Sequence, residues 1–223
     1  MNELSAPALA GLPFPLHLPP EQAVAHPGWV QARTALLDAM RQGRIAVLIG
    51  PPGVGKTLLL REVARQLRAE GQAPGFAERG DTAPTDAALP LVDEAEALPD
   101  EALQALLARG GPAVLAALPG FLRRLDALAT PAVIVPLTPM TAAETRRFVA
   151  AIAPPGLFGE DAVAALAVLS QGLPRLAATL GRAAAFQARL EGAGPVTARH
   201  VTEAEAMRAG AFPADEHAAE EAQ

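Results

Sequence analysis

Arg44-Ile45-Ala46-Val47-Leu48-Ile49-Gly50-Pro51-Pro52-Gly53-Val54-Gly55-Lys56-Thr57 is the stretch that decides the fold. Five apolar residues, Ile45 to Ile49, fit a buried strand, and they run directly into Gly50–Thr57, a complete match to the phosphate-binding P-loop pattern. Gly50, Gly53 and Gly55 let the backbone curl into a nest whose N–H groups converge on an anion. The following helix adds its positive N-terminal end, which Leu58 enters just behind Thr57. Lys56 has the reach for β- and γ-phosphates, and the Thr57 hydroxyl suits Mg²⁺. The stretch therefore predicts a nucleotide site formed by Gly50, Pro51, Pro52, Gly53, Val54, Gly55, Lys56, Thr57 and Leu58.

Outward from this point, the pattern alternates. Trp29 to Gln42 carries apolar residues at helical spacing (Trp29, Ala32, Leu36, Leu37, Met40), with Gly43 as a stop. Thr57 to Ala69 is an amphipathic helix with Leu59, Leu60, Val63 and Leu67 inward and Arg61, Arg65 and Arg68 on a solvated face. Ala73 to Glu78 makes at most a short edge strand. Leu89 to Val92 is a further strand, although Pro90 removes a ladder donor. A helix over Pro99–Ala108, with Asp100 near its start, precedes a strand over Ala113–Ala117. A helix over Gly120–Leu128 then precedes a strand over Ala132–Val135. Strands alternating with helices predict a parallel sheet covered on both faces, an α/β/α sandwich.

After Pro139 only helices are expected. Thr141 with Glu144 forms a capping box, and Asp161–Ser170, Leu173–Leu190 and Thr197–Arg208 read as amphipathic helices. The organisation expected is an extended arm over 1–28 rich in proline, an α/β unit over 29–138, a helical unit over 139–208 and an acidic, disordered tail over 209–223. No cysteine is present, which excludes disulfides, thiol catalysis and thiolate metal sites. His17, His26, His200 and His217 show no metal-ligand spacing and read as surface or partly packed side chains. A net charge of −6 argues against a nucleic-acid coat. No export signal and no apolar run of spanning length stand in the sequence, so a cytoplasmic protein without a membrane span is expected.

Asp93, at the end of an apolar strand, fits the carboxylate that holds the Mg²⁺ shell, and Glu94 fits the general base that polarises water. With these residues in place the chain resembles an AAA+ P-loop ATPase, and within that class the ExeA-like ATPases of general secretion and their transposition-linked relatives. The resemblance rests on Gly11-Leu12-Pro13-Phe14, on Gly53–Thr57, on Val92-Asp93-Glu94-Ala95-Glu96 and on Leu115 to Leu125 around Pro119. It extends through Pro136-Leu137-Thr138 and Glu144-Thr145 to Gly172-Leu173-Pro174-Arg175. It implies a helical lid over the nucleotide, ATP and Mg²⁺ as cofactors, and Arg175 as a sensor 2 residue reaching the γ-phosphate. The catalytic set it implies is Lys56, Glu94 and Arg175, with Thr57 and Asp93 on the metal.

The chain departs from the family pattern where a polar sensor 1 residue is usual (here Leu118) and where an arginine finger is usual (here Ala127). The segment between the P-loop helix and Asp93 is also short. Because an arginine finger is worth about 10³–10⁵ in rate, slow or partner-activated hydrolysis is expected. Arg123 and Arg124, about one helical turn before Ala127, are candidates to reach a neighbouring copy in an ATP-dependent homo-oligomer. The leading expectation is an ATPase acting on a protein partner of unspecified identity. A DNA-binding helper with Arg123, Arg124, Arg146 and Arg147 as a basic rim is less favoured, and a non-hydrolysing ATP switch is the third reading.

Overall fold

The computed structural model describes residues 13–15, 19–78, 87–128 and 130–210, and the expectations for the acidic tail and most of the N-terminal arm lie outside them. Two compact units divide these residues. One holds residues 19–140 together with Leu173–Arg175; the other holds residues 13–15, Thr141–Gly172 and the chain from Leu176 onward.

In the first unit, α1 (Pro27–Arg41), β1 (Ile45–Ile49), α2 (Lys56–Ala69), β2 (Pro74–Ala77), β3 (Leu89–Val92), α3 (Asp100–Ala108), β4 (Ala113–Ala117), α4 (Phe121–Ala127) and β5 (Val133–Pro136) follow in order. All five strands are parallel, in the order β2-β3-β4-β1-β5. β1 is sandwiched between β4 and β5, with Ile45 opposite Ala113 and Ala46 opposite Val133.

Because side chains alternate along a strand, β1 feeds two separate cores. Ala46 and Leu48 pack with Leu36, Leu37, Leu59, Leu60, Val63 and Leu67 of α1 and α2. Ile45, Val47 and Ile49 pack on the opposite face with Leu103 and Leu106 of α3 and Phe121 and Leu125 of α4. Every residue of β1 and β4 is buried. This is the three-layer α/β/α sandwich that the alternation predicts.

Local details refine three expectations. Helix α1 begins at Pro27 rather than Trp29, a position that suits proline because the first-turn N–H has no helical partner anyway. Pro90 is tolerated because the β3–β4 ladder engages only Leu91 and Val92, so the missing donor falls before that pairing starts. Asp100 stands at the start of α3, as expected, where it is the first helical residue after Pro99, and its carboxylate binds Arg124.

The helical unit contains α5 (Ala142–Ile152), α6 (Glu160–Leu169), α7 (Pro174–Leu190, its first two residues belonging to the α/β unit) and α8 (Ala198–Arg208). The Thr141–Glu144 capping box is present: Thr141 Oγ accepts from the Glu144 N–H at 3.3 Å, and the Glu144 carboxylate accepts from the Thr141 N–H at 2.7 Å. Phe14, read from sequence only as part of an arm, is instead 1% exposed in this unit's core. Its ring stacks on Phe148 at 6.2 Å and meets Phe158 edge-on at 5.8 Å. Gly181 makes the room, since a Cβ there would stand 2.4 Å from the Phe14 ring.

His200 is buried rather than a surface or partly packed side chain. It is 2% exposed, and its Nδ1 accepts from the Thr197 N–H at 3.0 Å in a second capping box, a role usually filled by Glu or Gln. Among the described residues no helix is long and apolar enough to cross a membrane.

Candidate functional site

The site lies at the C-terminal end of β1, where the loop 50–55 turns into α2. Gly53 (φ 79°) and Gly55 (φ 107°) occupy the left-handed region, which lets consecutive N–H groups face one concavity. Val54 points the other way and is buried in the core beside α2, so it anchors the loop. Pro51 is half-buried, Pro52 is exposed and Leu58 is half-buried in the first turn of α2.

Lys56 opens α2 and is buried, with Nζ donating to the carbonyls of Gly50 (2.8 Å) and Pro51 (3.1 Å). Burial pushes its ammonium below the ordinary lysine value. The carboxylates of Glu96, Asp93 and Glu94 pull it back up, and Arg175 adds to the lowering. A buried amine held only by neutral carbonyls keeps most of its charge for a ligand.

Beside it, the Thr57 hydroxyl donates to Asp93 Oδ2 at 2.6 Å. Asp93 is 7% exposed just after β3, and its Oδ1 accepts from the Glu94 N–H at 3.1 Å. Two hard oxygen donors on one spot, a hydroxyl and a carboxylate, match the sparse protein ligation that Mg²⁺ accepts when phosphates and water complete its shell. The next residue, Glu94, has φ 49°, a strained conformation for a residue with a Cβ. It starts the 3-10 turn Ala95–Ala97 and is half-buried.

Arg175 lies in the same unit. Its N–H donates to the Gly53 carbonyl at 3.2 Å, and its side chain is exposed. The Arg175 backbone is thus joined directly to the phosphate loop.

Two residues carry more than the sequence indicated. Glu96 Oε2 accepts from the N–H of Leu118, the first residue after β4, at 3.3 Å. Arg124 does not project from α4 toward a neighbour. Its guanidinium folds back to Asp100 Oδ1 (2.8 Å), the Glu96 carbonyl (3.3 Å) and the Leu98 carbonyl (2.6 Å), with its cation over the Phe121 ring. The carbonyls of a turn whose own hydrogen bonds are incomplete offer a guanidinium fork better company than solvent. Arg123 remains exposed on α4, as do Arg146 and Arg147 on α5. In the sequence, the signal for the first of these contacts is the third acid, Glu96, beside the Asp93-Glu94 pair.

A glycine nest on a helix N-terminus, a lysine inside it and a Thr–Asp oxygen pair define a P-loop nucleotide-binding α/β protein. The family model of the AAA ATPase domain matches residues 30–179, and the chain belongs to that family. No curated protein matches it in sequence. Several solved structures share the fold. Cdc6p from Pyrobaculum aerophilum superposes with a TM-score of 0.65 at 15% identity, covering 96% of this chain and 73% of that one. A RuvB variant of Thermotoga maritima gives 0.60 at 16% identity, covering 85% and 72%. A further structure, the Thermotoga maritima RuvB Holliday junction branch migration motor, gives 0.56 at 18% identity, covering 81% and 68%. The fold is therefore that of an AAA+ P-loop ATPase.

Proposed function

We propose that this chain binds ATP with Mg²⁺ and couples binding and slow hydrolysis to a conformational change of a protein partner or assembly. The observation that carries the reading is the 2.6 Å contact between Thr57 and Asp93 at the mouth of the nest that holds Lys56. When bound, Mg²⁺ would neutralise phosphate charge as the terminal bond breaks. Thr57 and Asp93 would hold it. Lys56 exchanges the Gly50 and Pro51 carbonyls for phosphate oxygens, and Arg175 reaches the same anion from the first turn of α7. Glu94 accepts the proton of the attacking water, its strained backbone fixing where the carboxyl points. The remaining departures from the family pattern, Leu118 at the end of β4 and Ala127 on α4, favour a slow reaction.

The partner is read as a protein. The RuvB structure named for Holliday junction branch migration keeps the DNA reading in view. Here, however, Arg124 is engaged within the chain and the net charge is −6, so the basic rim loses one member. The motif likeness to ExeA-like ATPases favours a secretion or transposition assembly as the setting.

Calorimetry with ATP and Mg²⁺, together with phosphate-release assays, tests the reading. Lys56→Ala is expected to bind no nucleotide. Glu94→Gln is expected to bind normally while turning over about 10²–10⁴-fold more slowly. Unchanged binding by Lys56→Ala would falsify the assignment.

A further inference from the structure

We propose that Arg124 is a positioning residue for Glu94, holding through one peptide group the backbone from which the Glu94 side chain projects. The inference rests on the reading of Glu94 as the base that activates water. Its starting point is how the Glu94 backbone is fixed. A left-handed conformation is uphill for a residue with a Cβ, so φ 49° persists only where neighbouring bonds enforce it. On one side the Glu94 N–H donates to Asp93 Oδ1 at 3.1 Å. On the other the Glu94 carbonyl accepts from the Ala97 N–H at 2.8 Å.

That N–H shares a peptide group with the Glu96 carbonyl, to which Arg124 Nη1 donates at 3.3 Å. A trans peptide is planar, with its C=O and N–H pointing in opposite directions. The same group is therefore gripped by Arg124 at its oxygen and grips Glu94 at its hydrogen. Linked hydrogen bonds polarise one another, so the guanidinium also makes this N–H a better donor.

The other two guanidinium nitrogens act on the same segment. Nη2 donates to the Leu98 carbonyl at 2.6 Å, and Nε donates to Asp100 Oδ1 at 2.8 Å. Ala95 and Leu98 share a core with Phe121 and Leu125 of α4. That packing sets where the turn lies, whereas the polar bonds at the two ends of the 96–97 peptide set its rotation. These bonds from Arg124 go to Glu96, Leu98 and Asp100 and not to the phosphate loop, so their loss falls on rate rather than on nucleotide binding.

The test compares full-chain variants in single-turnover phosphate release from Mg²⁺–ATP and in calorimetry with Mg²⁺ and adenosine β,γ-imidotriphosphate. Arg124→Gln is expected to slow release about tenfold or more while changing the Kd of the analogue about twofold or less. Arg124→Lys keeps the charge but replaces the fork by a single ammonium, and its rate is expected to fall between the two. It carries the same decision if Arg124→Gln does not fold. In a Glu94→Gln background, Arg124→Gln is expected to slow release by about twofold or less, because a residue acting through Glu94 has no carboxylate left to position. Release within about twofold of the parent in the Arg124 variants overturns the proposal. So does a rise in Kd that matches the loss in rate, which would assign Arg124 to holding the whole site. A second loss of the same size in the Glu94→Gln background overturns it too. A parent that releases no phosphate, or Glu94→Gln as fast as the parent, overturns the reading of Glu94 and this inference with it. That failure is recognisable without any Arg124 variant.

Discussion

The two units each concentrate charge in one place, and they use it in opposite ways. In the α/β unit, Lys56 is buried against neutral carbonyls and its ammonium is pushed below the ordinary value by that burial, with the acids around it answering only in part. In the helical unit, Arg199 lies between Glu191 and Glu203. The Glu191 carboxylate also accepts from His200 Nε2 at 3.1 Å, and Gln187 donates to Glu203. There the pairing is complete: hydrogen bonds from Arg199 first and His200 second hold Glu191 down to about 2. Charges that satisfy one another serve the fold. A charge whose burial outweighs the acids around it, and whose hydrogen bonds go to loop carbonyls, is suited to a partner from outside the chain.

The sharpest way to break this contrast is to remove Lys56. Because the residue contributes to ligand capture rather than to packing, Lys56→Met is expected to melt within a few degrees of the parent without nucleotide. It should also lose the rise in melting temperature that saturating Mg²⁺–ATP gives the parent. At about 100 times Kd that rise corresponds to ~2.7 kcal/mol. A variant that unfolds well below the parent without ligand would show that Lys56 is a structural cation like Arg199.

The helical unit is expected to respond in the reverse manner, with stability lost where packing is removed. Phe14→Ala empties a site filled by an aromatic ring and should cost about 3–5 kcal/mol of that unit's stability. Gly181→Ala forces a methyl against the same ring and should cost about 1–3 kcal/mol. Combining the two should cost less than their sum, because the added methyl fills part of the space the ring leaves. Strict additivity, measured by urea unfolding of the double variant, would mean the two residues do not share one cavity.

Both units were partly legible in sequence, and the legible parts have a common cause. Ile45–Ile49, Gly50–Thr57 and the Thr141–Glu144 box are defined by residues close along the chain, so local periodicity, glycine freedom and capping chemistry are enough to find them. The missed features are long-range pairings. Arg124 looks like a free helical arginine until the fold brings the turn after β3 against it. Phe14 looks like part of an extended arm, although its partners Phe148, Phe158 and Gly181 lie far along the chain. The Asp100 carboxylate belongs with them, because its charged partner Arg124 lies beyond the next strand.

The smallest expected effect concerns acid. Glu191 has a folded-state value of about 2 against an ordinary 4.5, a depressed carboxylate. Its contribution to stability is therefore fully present above pH 4.5 and is lost as the pH falls toward 2. Arg199 stays charged throughout this window, so the loss comes from Glu191 gaining its proton. Since the group is solvent-exposed, screening by salt should shrink the effect further. Arg199→Gln removes the largest cause of the depression and is expected to flatten the acid limb of the helical unit's stability between pH 5 and 2 while leaving the profile above pH 6 almost parallel to the parent's. Thermal melts across this range check it. An unchanged acid limb would mean that His200 alone, or the whole unit's net charge, governs the response, and the contrast between self-paired and ligand-seeking charge would lose its helical half.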